Sequence, residues 1–87
     1  MIVTSASSVE GHRVVSAAGL VQGSIVQSTH LGSETLTFAH DEAIDRMVTN
    51  ARDLGANAVL DVRISTACIA GSVVEVLVYG NAVLLDT

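Results

Sequence analysis

The sequence predicts an α+β fold: a small two-layer domain in which one amphipathic helix packs on an antiparallel sheet. Three observations carry this. Residues 38–54 repeat apolar side chains at a helical period. Residues 13–27, 58–66 and 73–85 are rich in Val, Leu and Ile, the residues of strands. The whole chain is 87 residues, so a single domain, 1–87, has to hold all of these segments.

The elements follow in order. Met1 to Thr4 is short and apolar and reads as a terminal edge strand, and Val9-Glu10-Gly11-His12 reads as a turn. From Arg13 to Gln27 the apolar residues are frequent, with Gly19 and Gly23 among them. Glycine inside a strand marks a bulge or a close backbone approach, so this strand should be bent. Ser28 to Thr37 is polar and reads as a loop.

Phe38, Ile44, Met47, Val48, Ala51 and Leu54 then fall on one helical face. Asp41, Glu42 and Asp45 come early while Arg46 and Arg52 come late, which complements the helix dipole. Thr37 is the expected N-cap and Gly55 the left-handed terminator.

Ala58 to Thr66 and Val73 to Leu85 form the expected hairpin, joined by Ala67 to Ser72. A turn centred near Ile69 sets Arg63 opposite Glu75 and Ile64 opposite Val74. Leu60, Val62, Ile64, Val74, Val76 and Val78 would then face the helix. The other face would hold Val59, Asp61, Arg63, Val73, Glu75, Leu77 and Tyr79. About half of it is apolar, more than a solvated sheet face normally carries. Gly80 should relieve a bend before Ala82 to Leu85.

Composition points the same way. Apolar residues make up 49% of the chain, yet Phe38 and Tyr79 are its only aromatics. A domain this short leaves much of its surface uncovered, and a symmetric oligomer is the usual remedy. The apolar face of the hairpin, Val59 to Arg63 with Val73 to Tyr79, is therefore the expected subunit interface. The expected partner is the chain itself.

Charge excludes other partners. The net charge is −5, with no lysine and four scattered arginines. That sign opposes both nucleic acid and an anionic membrane surface. Cys68 is the only cysteine, so no disulfide forms within the chain. The start lacks a basic region and a long apolar run, and no stretch is apolar enough to span a bilayer, which leads to the expectation of a cytoplasmic protein.

Several of these residues resemble the YbjQ-like family, a group labelled heavy-metal-binding. The resemblance lies in Val9-Glu10-Gly11, in Gly19-Leu20-Val21 followed by Gly23, in Ala51-Arg52 followed by Leu54-Gly55-Ala56-Asn57-Ala58-Val59, and in Val78-Tyr79-Gly80-Asn81-Ala82-Val83. The motifs occur in the family's order along nearly the whole chain. The resemblance implies a fold of the dodecin-subunit type, assembled into a ring that is typically a pentamer, and no established reaction. Two features depart from it. Members carry a longer segment, rich in Gly, Arg and acidic residues, where Ser28 to Thr37 stands here. A Glu often follows the second glycine of the strand, where this chain has Ser24.

No metal signature supports the family label. His12, His30, His40 and Cys68 show no CxxC, HxH or HExxH spacing. His40, Asp41 and Glu42 are consecutive at a helix start and point about 100° apart. His30 and Glu34 are four apart in the expected loop. A small ligand or metal between subunits thus has no support from spacing, and no cofactor is implied. Nor does a catalytic motif stand out: Cys68 sits among Ala67, Ile69 and Ala70 and reads as a small apolar residue, there is no GxSxG elbow, and Gly19 to Gly23 lacks the lysine of a phosphate loop. A ring-forming, non-enzymatic homo-oligomer is the leading expectation. The alternative is a metal-dependent or hydrolytic enzyme with a composite site at the subunit interface.

Overall fold

The computed structural model describes residues 1–28 and 33–86. Its elements are β1 (Ile2–Val3), β2 (Val14–Ser28), α1 (Ser33–Asp53), β3 (Ala58–Ala70) and β4 (Val73–Leu85). The four strands form one sheet in the order β1-β3-β4-β2. The sheet is mixed, not wholly antiparallel: β1 pairs parallel with β3, while β2 and β3 both run antiparallel to the central β4. The molecule is elongated, 44 × 22 × 15 Å.

Strand β2 is bent as its glycines suggest. Its register against β4 shifts between Val14 and Ser16 and again between Ala17 and Gly19, and Gly19 has φ +129°. Gly23 serves a close approach: a Cβ there would press into the Ala43 carbonyl oxygen and lie 2.5 Å from the Met47 amide nitrogen. The helix therefore rests almost backbone-to-backbone on β2.

That contact explains which face of α1 is inside. Ala39, Ala43, Met47 and Ala51 are fully buried, whereas Phe38 is 62% exposed and Leu54 53% exposed. Met47 and Ala51 of the expected stripe are thus inside and Ile44 packs against the core, but its ends, Phe38 and Leu54, are not; Ala39 and Ala43 complete the buried face, small side chains where helix and strand nearly touch. The helix also begins at Ser33, so Thr37 lies inside it and is not the N-cap. Of the expected loop, Ser28 closes β2, and residues 29–32, His30 included, lie outside the described residues.

The end of α1 is as expected. Gly55 has φ +81°, its N–H donates to Arg52 O at 2.9 Å, and the Ala56 N–H donates to Ala51 O at 3.1 Å. This paired capping satisfies the last carbonyls and turns the chain directly into β3. Asn57 fastens that junction: its Nδ2 donates to Leu85 O at 3.0 Å and its Oδ1 accepts from the Leu85 N–H at 2.7 Å.

The hairpin differs from expectation in two places. Its loop is only Gly71-Ser72, with Ala70 opposite Val73 and Gly71 at φ +48°. A positive φ at the first central residue belongs to the tight two-residue turns that match strand twist. Arg63 accordingly lies opposite Tyr79, Ile64 opposite Val78 and Glu75 opposite Ala67. The expected Arg63–Glu75 and Ile64–Val74 pairs do not form.

The second difference is a bulge. Between Leu60 and Arg63 the β3 register slips, and Asp61 adopts φ +53°. Asp61 and Val62 together oppose Gly80, where a Cβ would meet Val59 Cγ1 at 2.7 Å and Leu60 O at 2.9 Å. The irregularity expected near Gly80 thus belongs to the facing strand, and Gly80 makes room for it.

The bulge lets β3 serve two cores. Val59 packs under the helix with Val21, Met47, Val76, Val78 and Ala82. Leu60 lies on the opposite face with Ala58, Val83 and Leu85, closed over by Val9. Val9 begins the expected turn, in which the His12 N–H donates to Val9 O at 3.1 Å and Gly11 has φ +80°.

Candidate interaction surface

The expected interface residues now have places. On β4, Val73, Glu75, Leu77 and Tyr79 alternate with the helix-facing Val76 and Val78, so they look away from the helix. Their neighbours on that outer face are Ser65 and Ser24 beside Leu77, Ala67 and Val26 beside Glu75, and Arg63 and Gln22 beside Tyr79. Asp61 joins the face through its carboxylate, which accepts from Asn81 Nδ2 at 3.3 Å. Val59 does not belong to it: its side chain is wholly buried under the helix. Simple alternation from Ala58 put it outside, and the bulge at Asp61 reverses that parity.

Sequence reasoning saw this face but not the feature beside it. Helix α1 lies over β2 and β4 and barely reaches β3. Every β3 residue from Arg63 to Ala70 is exposed. Ile64 is 47% exposed although it points to the helix side of the sheet, and Ile69 is 54% exposed.

The outer edge of β3 is half used. Near its start the N-terminal segment pairs with it: the Thr4 N–H donates to Val59 O at 3.0 Å, the Asp61 N–H to Ala6 O at 2.9 Å and the Val62 N–H to Thr4 O at 3.1 Å. Backbone groups of an antiparallel strand point alternately to its two neighbours. Since Val62 points outward, so do Ile64, Thr66 and Cys68. No strand of the described residues lies beside them. The signal for this was present in the sequence: Gly71-Ser72 as a two-residue turn would have extended β3 to Ala70.

The other edge, β2, is treated differently. The Gln22 carbonyl accepts from Asn50 Nδ2 at 2.7 Å, and the Ser24 carbonyl accepts from Arg46 Nη1 at 3.0 Å. Side chains of α1 thus cap the edge where a further strand would pair. The shallow groove they leave is lined by Glu42, Asp45, Arg46, Thr49 and Asn50. Earlier in β2, Val14, Val15 and Leu20 are 44%, 58% and 71% exposed.

The metal donors are dispersed. Nδ1 of His12 lies 2.9 Å from the Asp86 carbonyl oxygen at the opposite end of the sheet from the hairpin loop. Cys68 sits near that loop, its thiol donating to Gly71 O at 3.5 Å. His40 lies on α1 with Nε2 buried and without a hydrogen-bond partner. Among the described residues, no three of His, Cys, Asp and Glu come together. The described donors of one copy therefore do not form a metal centre by themselves. His30 and the Glu34 side chain lie outside the described residues. Among the described residues, no helix is long and apolar enough to cross a membrane.

Comparison with known proteins adds the lineage. Residues 33–86 match the family model YbjQ_1, described as "Putative heavy-metal-binding". This chain belongs to that family. A UPF0145 protein of Pyrococcus abyssi is 34% identical over 99% of this chain and 91% of its own length. One from Hahella chejuensis is 36% identical over 99% of this chain and all of its own. Both alignments run over 104 positions against the 87 residues present here, so the relatives carry residues that this family member lacks. A crystal structure of a Pediococcus pentosaceus protein of unknown function, placed in the DUF74 family, matches with a TM-score of 0.79 at 19% identity, over 99% of this chain and 98% of that one. That likeness is one of fold.

Proposed function

We propose that this YbjQ-family chain works as a non-enzymatic, ring-forming homo-oligomer whose subunits hold ions or small molecules between them. Five copies is the size that the sequence resemblance implies. The observation that supports the reading is the exposure of apolar side chains along the long strands. Val14, Val15, Leu20, Val26, Ile64, Ile69 and Tyr79 are all more than a third exposed, and all lie on the three long strands. Scattered surface apolar residues are ordinary, whereas this many on the strands of so small a domain supports association. A ligand held between subunits accords with the family's label.

Native mass spectrometry with and without a chelator tests both parts. A stable monomer of 9.0 kDa would defeat the ring. A ring whose mass is indifferent to the chelator and to added divalent metal would defeat the metal half. Leu77→Asp then locates the contact. It should break the assembly into folded subunits, because a charge forced into a dry interface costs several kcal/mol. Size-exclusion chromatography with circular dichroism reads the outcome, and an intact ring of unchanged stability would show that the outer face meets water.

A further inference from the structure

We infer that copies join head to tail, the free half of the β3 edge in one copy pairing in parallel with the first half of the β2 edge in the next. This rests on the ring reading and supplies its geometry. Among the described residues, two half-edges of the sheet are open. On β3 the first half is occupied by Thr4 and Ala6, which leaves Ile64, Thr66 and Cys68 with outward-pointing backbone groups. On β2 the second half is capped at Gln22 and Ser24 by Asn50 and Arg46, which leaves the stretch from Val14 to Leu20. Every residue of 14–20 and of 63–70 is exposed.

The two open halves lie on opposite edges and at opposite ends of the sheet. Val14 aligns with Leu85 at one end, while Ala70 aligns with Val73 at the other. Both strands run antiparallel to β4, so they run parallel to each other. A rotation that carries the sheet onward therefore brings unlike edges together with matching polarity, staggered along the strands. One repeated contact then covers both halves, and a contact between unlike surfaces closes into a ring when the rotation allows.

A two-fold axis would instead pair β3 with β3 and leave Val14, Val15 and Leu20 bare. Charge agrees with the head-to-tail contact. Residues 14–20 carry no charge, 63–70 carry only Arg63, and all nine acidic residues lie elsewhere. The chain, net −5, meets itself where it does not repel itself.

Cys68 makes the test direct, since it lies on the free half of β3. With a short thiol-to-thiol cross-linker, Ser16→Cys should give a ladder of covalent multimers ending at the ring number. Wild type and Ser16→Cys/Cys68→Ser should stay uncross-linked. A Thr66→Cys/Cys68→Ser chain that cross-links efficiently to dimers, and no further, would overturn the head-to-tail arrangement in favour of the two-fold. Circular dichroism confirms that each variant is folded, and native mass spectrometry of the same samples separates the two levels of failure. Intact rings of the Ser16→Cys variant that yield no covalent ladder overturn this pairing alone, whereas monomers overturn the ring itself.

Discussion

The sheet has two long edges, and they are finished by different means. On β2, two bulges distort the first half, and α1 hands Asn50 and Arg46 to the carbonyls of the second. On β3, the N-terminal segment pairs with the first half, and the second runs in unbroken register from Arg63 to Cys68, shifts once before Ala70, and has no proline or lysine. Natural proteins ordinarily blunt an edge with such devices, since a bare strand invites pairing. The difference teaches that one sheet can finish its two edges with unlike devices, side-chain caps from α1 on β2 and a paired N-terminal segment on β3.

The comparison is broken most severely by separating helix from sheet. Gly23→Val forces a branched side chain against the backbone of Ala43 and Met47. It should lower stability by about 3 kcal/mol, the upper range for overpacking, as read from urea unfolding. A variant as stable as wild type would show that α1 is free to lift from β2.

Proline sharpens the contrast along β3 itself. Ser65 points its N–H inward to β4 and Thr66 points outward, by the alternation that starts at Val62. Ser65→Pro removes a ladder bond and should cost roughly 3 kcal/mol. Thr66→Pro should leave a folded subunit and dissolve the assembly, because a proline N facing outward costs the sheet little. Equal destabilisation by the two prolines in chemical unfolding would refute the assigned polarity.

A smaller effect comes from uncapping β2. Arg46→Ala with Asn50→Ala frees the Gln22 and Ser24 carbonyls and removes two exposed hydrogen bonds, together about 1–2 kcal/mol. More telling is the expected rise in light scattering on heating, as a second open edge appears. No increase in scattering would mean the two side chains do not guard the strand.

The smallest effect concerns Arg13. Its Nε lies 3.6 Å from Asp86 Oδ2, with the arginine side chain 83% exposed. Exposed pairs contribute about 0–1 kcal/mol. Arg13→Ala should move the unfolding midpoint hardly at all, because the Asp86 contacts that hold the end of the sheet are to the backbone. The Arg13 N–H reaches Asp86 Oδ1 at 2.7 Å, and the Asp86 N–H reaches Arg13 O at 2.9 Å. A large shift of the midpoint would give the ion pair a weight its exposure does not allow.

Much of this architecture was legible in the sequence. Helical periodicity located most of α1, Gly55 marked its end, and Gly19 and Gly23 announced a bent β2. These are local signals, each set by the residue's own conformational preference. What escaped was set by non-local fit. Phe38 and Leu54 continue the apolar period of α1, yet Ala39 and Ala43 take the inward places beside Met47 and Ala51, because Gly23 lets helix and strand backbones approach closely. Asp61 carries no sequence mark of a bulge, since a positive φ in a non-glycine residue is imposed by its surroundings. From that one residue follows the reversed placement of Val59. The register error came from reading Ala67 to Ser72 as a loop when Gly71-Ser72 alone suffices. The shared facing of Val73, Glu75, Leu77 and Tyr79 was legible because β4 has no bulge from Val73 to Tyr79.

Strand β4 is the spine of the sheet and the last of the five elements along the chain. On the ribosome, β2, α1 and β3 must therefore wait. Val14 finds its partner only when Leu85 has emerged, and the long loop so closed makes that pairing a late and slow event. Until then β2 and β3 each lack the neighbour on their β4 side, and in a polysome several such chains lie close together. Placing the shared strand last leaves a window in which neighbouring nascent chains compete with the missing β4.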